Sequence, residues 1–443
     1  MSLRASHGTP NAELTRSPRA PAARPAILLG PLAKTPRKNT RSPRLGVWIF
    51  GAYGGLATTV VLGARAIARG LAAPQGLATE SDLCRGLGLA PIDSIVFGGH
   101  EMRPGDWAQS ALEIHQDNGT LPLPLIEALK KDLKQLSKNV RQGALVNAGR
   151  TIERVTGAKK LSARTLRQEA DRLQQDLRDF QTKNRLDSVV CVNLTSTEPE
   201  LASSPAHRSL AAFERAIDKN DTRAVRSSSL YAYAAAKLGL PFVHFTPSNA
   251  ALLPAIRELF EQNGAPYAGM DGKTGETLVK SALAPMFKIR DLRVLSWQGY
   301  NILGDRDGAV LADSENKQSK IATKDALLPQ ILGYPLHSHV GIDYVPSLHD
   351  HKTAWDFIHF EGFLGHRMVM QFVWQGCDAI LAAPLVLDLA RWCDFAKRRG
   401  EKGPMKHLAC YFKRPIETDT HDLHAQWREL VDYANAHRNQ TRR

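Results

Sequence analysis

The spacing of apolar residues changes along this 443-residue chain, and the change predicts two kinds of sheet. From Leu45 an apolar run, "LGVWIF", meets the turn "GAYGG" and then the helical run "LATTVVLGARAIARGL". A short run closed by glycine and followed by a longer periodic one predicts strand, tight turn and buried helix, the opening of a nucleotide-binding βαβ unit. "IDSIVFGGHE" (Ile92 to Glu101) predicts a second strand, "DSVVCVN" (Asp187 to Asn193) a third, and "LPFVHF" a fourth, with helix "SSSLYAYAAAKLG" before the last. Residues 121–184 are charged and helix-prone, an excursion without chemistry of its own.

Beyond about Pro254 the alternation changes character. A helix leads to the turn "GMDGKTGET" (Gly269 to Thr277), a further helix, and the long strand "DLRVLSWQGYNI". After "LGDRDG" come the segment "SKIATK", strand "SHVGIDYVP", loop "SLHDHK", the short segment "TAWDFIHFEGFLG" and strand "HRMVMQFVWQG". Long strands joined by a loop predict a mixed or antiparallel sheet. Helix "DAILAAPLVLDLARWCDFA" follows, and "LACYFKRP" is expected as a last short strand.

Leu45 to Ala64 carries no charge and is long enough to cross a bilayer. Its five glycines, with Gly51, Gly54 and Gly55 in the middle, favour strand, turn and helix instead. The net charge of +14 is uneven. Residues 1–44 hold nine Lys or Arg against Glu13 alone, which supplies +8 of it, so the charge does not predict a specific nucleic-acid partner. That leader is rich in Pro and Arg and is expected to be disordered. Cys84, Cys191, Cys377, Cys393 and Cys410 are odd in number and widely spaced, which predicts neither disulfides nor a CxxC metal site and fits a cytoplasmic setting.

Candidate chemistry gathers at strand ends. The glycine turn (Gly51, Ala52, Tyr53, Gly54, Gly55) is suited to a phosphate at a helix N-terminus, although it reads GxxGG and no acid stands about 20 positions on for a ribose hydroxyl. The polar turns after the third and fourth strands offer Asn193 and Thr195, then Thr246, Ser248 and Asn249. Lys320 and Lys324 stand four apart, which on a helix stacks like charges unless an anion lies between them. Lys273, Lys352 and Lys413 also fall near turns, with Asp271, Asp307, Asp350, Asp356 and Asp378. Converging ammonium groups would bind a phosphate monoester and stabilise alkoxide or enolate oxygens. His337, His339, His349 and His351 form a competing constellation that could ligate zinc or iron.

The ordered set "GAYGG", "TPSN", "GMDGKTGET", "YNILGDRDG", "SKIATK", "YVPSLHDHKTAWD", "CDAILAAPLVLDL" and "CYFKRP" resembles the myo-inositol-1-phosphate synthase family over Leu45 to Pro415. The resemblance implies an α/β fold: a Rossmann-like NAD-binding domain plus a second α+β domain with a mixed sheet for catalysis and oligomerisation. The expected division is 1–44 leader, 45–253 NAD-binding domain, 254–395 catalytic and tetramerisation domain, and 396–443 return to the first domain with a basic tail. The implied reaction converts D-glucose 6-phosphate to 1D-myo-inositol 3-phosphate: NAD oxidises C5, a C6 proton is lost to give an enolate, C6 attacks the C1 aldehyde, and NADH reduces C5 again. A homotetramer and stimulation by a divalent or monovalent cation are also implied.

By the same resemblance Lys320 is assigned to proton transfer at the C5 oxygen, Lys413 to oxygen stabilisation in the aldol step, and Lys324 and Lys352 to phosphate and enolate stabilisation. Asp271, Asp307 and Asp378 orient lysines or the nicotinamide end, Asp271 and Asp307 among the catalytic residues and Asp378, with Asp350 beside Lys352, at the cofactor; Lys273, Thr274 and Gly275 join the substrate site. The chain departs from the family's "NNDG" with Asp305 and Arg306, and Met270 replaces an acid. A sugar-phosphate dehydrogenase, or a cyclase for another sugar phosphate, is the rival reading.

Overall fold

Strand β1 (Leu45–Phe50) is buried along its whole length, as its unbroken apolar run requires. Its side chains alternate between two cores: Leu45, Val47 and Ile49 point to one face, Trp48 and Phe50 to the other. The computed structural model describes residues 43–156, 164–304, 327–349 and 351–441, all within the compact unit Ser42–Arg443. The leader therefore lies outside the described residues.

In chain order, β1 is followed by α1 (Gly55–Ala68), β2 (Val96–Glu101), α2 (Trp107–Asn118), α3 (Leu123–Ser137), β3 (Val140–Gln142), α4 (Arg150–Thr156), α5 (Leu166–Lys183) and β4 (Ser188–Asn193). Then come α6 (Leu210–Asp218), α7 (Ser227–Lys237), β5 (Phe242–His244), α8 (Pro254–Gln262) and β6 (Pro266–Gly269). The chain goes on to α9 (Gly275–Ile289), β7 (Arg293–Leu303), α10 (Leu327–Leu332), β8 (His337–Tyr344), β9 (His351–Glu361), β10 (Arg367–Cys377), α11 (Asp378–Arg398), β11 (Gly403–Pro404) and α12 (Leu423–Thr441).

The first sheet is parallel, in the order β11-β6-β5-β4-β1-β2-β3. Helices α1, α3 and α11 contribute to one core, and α5, α7 and α8 to the other, so the sheet is doubly wound. The expected division at 253/254 falls inside this sheet, because β6 and β11 extend it and α11 packs against β4, β5 and β6. The inserted part is instead the stretch from α9 to β10. "LACYFKRP" is not a strand: Lys406–Tyr411 forms a 3-10 turn, and only Gly403–Pro404 adds to the sheet.

The second sheet, β10-β9-β7-β8, is mixed, with β7 and β8 parallel and the other pairs antiparallel. The segment expected to be a short connection, "TAWDFIHFEGFLG", is largely β9, an eleven-residue strand at the centre of the sheet. Asp356 hides the period-2 pattern, since a carboxylate occupies a core position and accepts from Trp297 Nε1 at 2.7 Å. One face of this sheet packs on α9 and α10 through Phe287, Trp297, Leu328, Ile331, Ile358 and Phe360. No described helix is long and apolar enough to cross a membrane, and Leu45 to Ala64 forms β1, the glycine turn and the start of α1.

Phe287 is fully buried, and its ring meets those of Phe360 at 5.0 Å and Trp297 at 6.2 Å. Phe287→Ala removes that packing and should cost about 3–5 kcal/mol in urea unfolding.

Candidate functional site

A cavity of about 710 Å³ opens at the carboxyl ends of β1, β2, β4 and β5 and runs beneath the second sheet. Its first wall is the glycine turn. Gly51 has φ +83°, and a Cβ there would stand 3.0–3.2 Å from the backbone of Leu194 and Thr195, so only glycine fits. Gly54 caps α1 without a side-chain hydrogen bond, and a Cβ on Gly55 would meet nothing within 4 Å. The first residues of this fourteen-residue helix, Gly55, Leu56 and Ala57, line the cavity, and a helix N-terminus of that kind can receive a pyrophosphate. These residues fit a dinucleotide.

Tyr53, Gly54 and Gly55 line the cavity, as expected, but Ala52 turns inward and its carbonyl accepts from Trp107. Thr195 and Thr246 also line it. Asn193 does not. It is buried behind them, its Oδ1 accepting from the Thr195 amide and hydroxyl at 3.3 and 2.9 Å, and its amide donating to Thr246 Oγ1 at 3.4 Å. Ser248 and Asn249 likewise staple the two loops together rather than face the cavity, Ser248 through Glu198 N and Asn249 through Leu201.

Glu101 had no signal in the sequence, because the α1–β2 connection is long and the acid falls far beyond the usual spacing. It ends β2, next to β1 in the sheet and on the cavity wall. That is where a doubly wound fold places its ribose ligand.

At the far end two lysine–aspartate pairs meet the same cavity. Lys413 Nζ lies 3.1 Å from Asp271 Oδ1, and Lys352 Nζ lies 3.3 Å from Asp378 Oδ2. Asp378, expected to orient a lysine or the nicotinamide end, stands with Lys352 on the cavity wall. Gly275, at φ +56°, opens α9, and a Cβ there would come within 3.4 Å of Lys352 Nζ. Thr274 lines the cavity beside them. Lys273 does not reach it. It is 2% exposed, faces a smaller apolar cavity, and donates to Gln426 Oε1 at 2.6 Å, with burial pushing its pKa down to about 8. On the cavity wall Asn301 donates to Glu276 Oε2 at 2.6 Å, and Glu276, behind it, pairs with the buried Lys280 at 2.6 Å. Lys320, Lys324, Asp307 and Asp350 lie outside the described residues.

Among the described residues no three His, Cys, Asp or Glu side chains come together as a metal site. His349 lines the cavity at φ +48°, a backbone conformation that costs a side-chain-bearing residue of order 1–3 kcal/mol.

A doubly wound nucleotide-binding fold with lysine–aspartate pairs at its substrate end defines a dinucleotide enzyme of phosphorylated substrates. The chain belongs to the myo-inositol-1-phosphate synthase family, an NAD-binding family whose model matches residues 45–435. It is 35% identical over 412 residues to inositol-3-phosphate synthase 1 of Bacteroides thetaiotaomicron, covering 87% of this chain and 93% of that one. It is 28% identical over 404 residues to inositol-3-phosphate synthase of Dictyostelium discoideum, covering 82% and 76%. The crystal structure of inositol-3-phosphate synthase from Caenorhabditis elegans superposes with a TM-score of 0.80 over 90% of this chain and 86% of that one, at 19% identity, a likeness of fold.

His244, below the site, is fully buried, with Nε2 2.6 Å from the Ser248 carbonyl and Nδ1 facing Asn193. Burial, helped by the Arg414 charge, pushes its pKa from 6.5 down to about 4. The unfolded chain then takes up a proton that the native chain refuses, so this contribution to stability is lost as pH falls from 6.5 towards 4. In urea titrations at stepped pH, wild type should lose about 1.4 kcal/mol per pH unit relative to His244→Gln across that window, with no difference in slope above it.

Proposed function

We propose that this chain converts D-glucose 6-phosphate to 1D-myo-inositol 3-phosphate with NAD as a recycled cofactor. The observation that carries the reading is the convergence of Lys352–Asp378 and Lys413–Asp271, four residues from distant segments, on one cavity with the glycine turn. When bound, NAD accepts a hydride from C5 and later returns it, so the reaction has no net redox change. Lys352 beside the N-terminus of α9 suits the substrate phosphate, since ammonium and helix dipole both favour an anion. Lys413 Nζ can donate to a sugar oxygen as it gains negative charge, with Asp271 holding the ammonium in place. The second carboxylate, Asp378, does the same for Lys352. Lys320 and Lys324 complete the set in this reading, Lys320 moving the C5 hydroxyl proton. Stimulation by a cation and a cytoplasmic location belong to the same proposal. A net dehydrogenase is not favoured, because the similar proteins bear synthase names.

Lys413→Met should lower inositol phosphate formation from glucose 6-phosphate and NAD by at least about a hundredfold, the scale of one lost oxyanion donor, while NADH still binds. Activity near wild type, or NADH accumulating in step with product, would sink the proposal.

We also propose a homotetramer assembled through the face of the second sheet that, among the described residues, no helix covers. Val373, Trp355 and Tyr300 stand in register across β10, β9 and β7, at 62%, 38% and 42% exposure. An apolar row of that kind marks an interface. Val373→Asp should shift the assembly to smaller species in sedimentation velocity.

A further inference from the structure

We infer that Lys273 is a positioning residue, whose ammonium, fastened to Gln426 of α12, sets the turn of Thr274 and Gly275 against the phosphate of the substrate. The inference rests on the reading of Lys352 and the N-terminus of α9 as the phosphate end of the site, and deepens it. The turn is costly to hold. Asp271 and Gly275 have φ of +65° and +56°, and a Cβ on Gly272 would run into the Phe245 ring. Conformations of this kind persist only where the surroundings over-determine them. Backbone bonds fix the first half of the turn, with Gly272 N donating to Phe245 O at 2.9 Å and Lys273 N to Tyr411 O at 2.8 Å. Thr274 then caps α9 without a side-chain hydrogen bond.

The back of Thr274 and Gly275 is loosely packed. Both line the second cavity, of about 200 Å³, with Leu278 of α9, Leu381 and Leu385 of α11 and Trp427 of α12 on its other sides. Thr274 lines the large cavity as well, so this turn is part of the wall between the two. Lys273 spans from the turn to α12, where its Nζ donates to Gln426 Oε1 at 2.6 Å. Gln426 is fully buried and is itself fixed, its Nε2 donating to Thr420 O at 2.6 Å and its amide to Asp422 O at 3.0 Å. Burying an ammonium against a neutral amide is unfavourable, as its lowered pKa reflects, and an apolar side chain could occupy the same space without that cost. What the ammonium adds is a directed bond where packing gives little support. Without that bond the turn can relax into the second cavity and draw the N-terminus of α9 away from Lys352, whose Nζ lies 3.4 Å from where a Gly275 Cβ would stand. The glycine turn, which follows β1, stays in place.

The test is calorimetric titration of D-glucitol 6-phosphate, an open-chain analogue with no aldehyde to cyclise, into the NADH-loaded full chain, with steady-state kinetics alongside. Lys273→Met should weaken glucitol 6-phosphate about tenfold and raise KM for glucose 6-phosphate by a similar factor, with kcat within about threefold, because a phosphate contact serves ground and transition states alike. NADH affinity should stay within about twofold, since its site does not touch this turn. Gln426→Leu should do the same, and the double variant should be no worse than either single one. Gln426→Glu keeps an acceptor and should stay within about threefold of wild type. If Lys273→Met fails to fold, the two Gln426 variants decide the matter. Unchanged glucitol 6-phosphate affinity in Lys273→Met, losses that add in the double variant, Gln426→Glu as weak as Gln426→Leu, or equal weakening of NADH and the sugar phosphate overturns the inference. A wild type that binds glucitol 6-phosphate but forms no inositol phosphate overturns the proposed reaction, while the binding arms still decide the role of Lys273.

Discussion

The site depends on a short backbone ladder between residues far apart in the chain. Where β6 ends, Met270 N donates to Arg414 O at 2.9 Å and Arg414 N to Met270 O at 3.1 Å. Lys273 N donates to Tyr411 O at 2.8 Å, and Ile416 N to Gly269 O at 2.9 Å. Everything from α9 to α11 is a loop closed by these bonds. Closing it costs little more entropy than closing a shorter one, because the cost grows only with the logarithm of length. A whole second sheet can therefore be hung from the edge of the first. The same ladder places Asp271 and Lys413 opposite each other, so the chain's exit and return carry one acid–base pair of the site between them.

The parallel sheet was legible because burial on both faces forces the unbroken apolar runs of β1 and β4. What the sequence hid had physical causes. Strand β9 carries Asp356 and Lys352 among its apolar residues, and a central strand that bears site chemistry loses its pattern for that reason. Strand β6 has only four residues, too few to show a period. The glycine turn, Thr195 and Thr246 were singled out in the sequence and line the cavity, but the partners of the lysines were not: Lys352 was read beside Asp350 and stands with Asp378, and Lys413 stands with Asp271. Asn193, Ser248 and Asn249 were placed one layer too far forward, since sequence shows that a loop is polar but not which side of it faces the ligand. Lys273 shows the same difficulty: its neighbours Thr274 and Asp271 face the large cavity, and it turns the other way to Gln426.

Two layers of electrostatics result. Around the cavity, Lys352 and Lys413 are each paired with an aspartate within reach of solvent. Behind it the polar groups are buried and paired with one another, as in Glu276 with Lys280, and His244 with Ser248 and Asn193. Buried polar groups of this sort are costly when a partner is lost, which makes the second layer rigid.

That rigidity explains why the chain tolerates strain at the cavity rim. Asp271 and His349 both hold positive φ, and Gly51 and Gly275 occupy positions where a Cβ would crowd the Leu194 backbone or Lys352. Each such conformation persists only where its surroundings over-determine it. The backbone ladder does so for Asp271, and the packed end of the second sheet, where the Val345 amide donates to the Leu303 carbonyl at 2.9 Å, does so for the turn that carries His349. A reaction that must hold one sugar through oxidation, ring closure and reduction cannot let its donors drift between steps. Fixing the cofactor turn on the first sheet, Lys413 on the ladder at its edge and Lys352 on β9 of the second sheet satisfies that requirement.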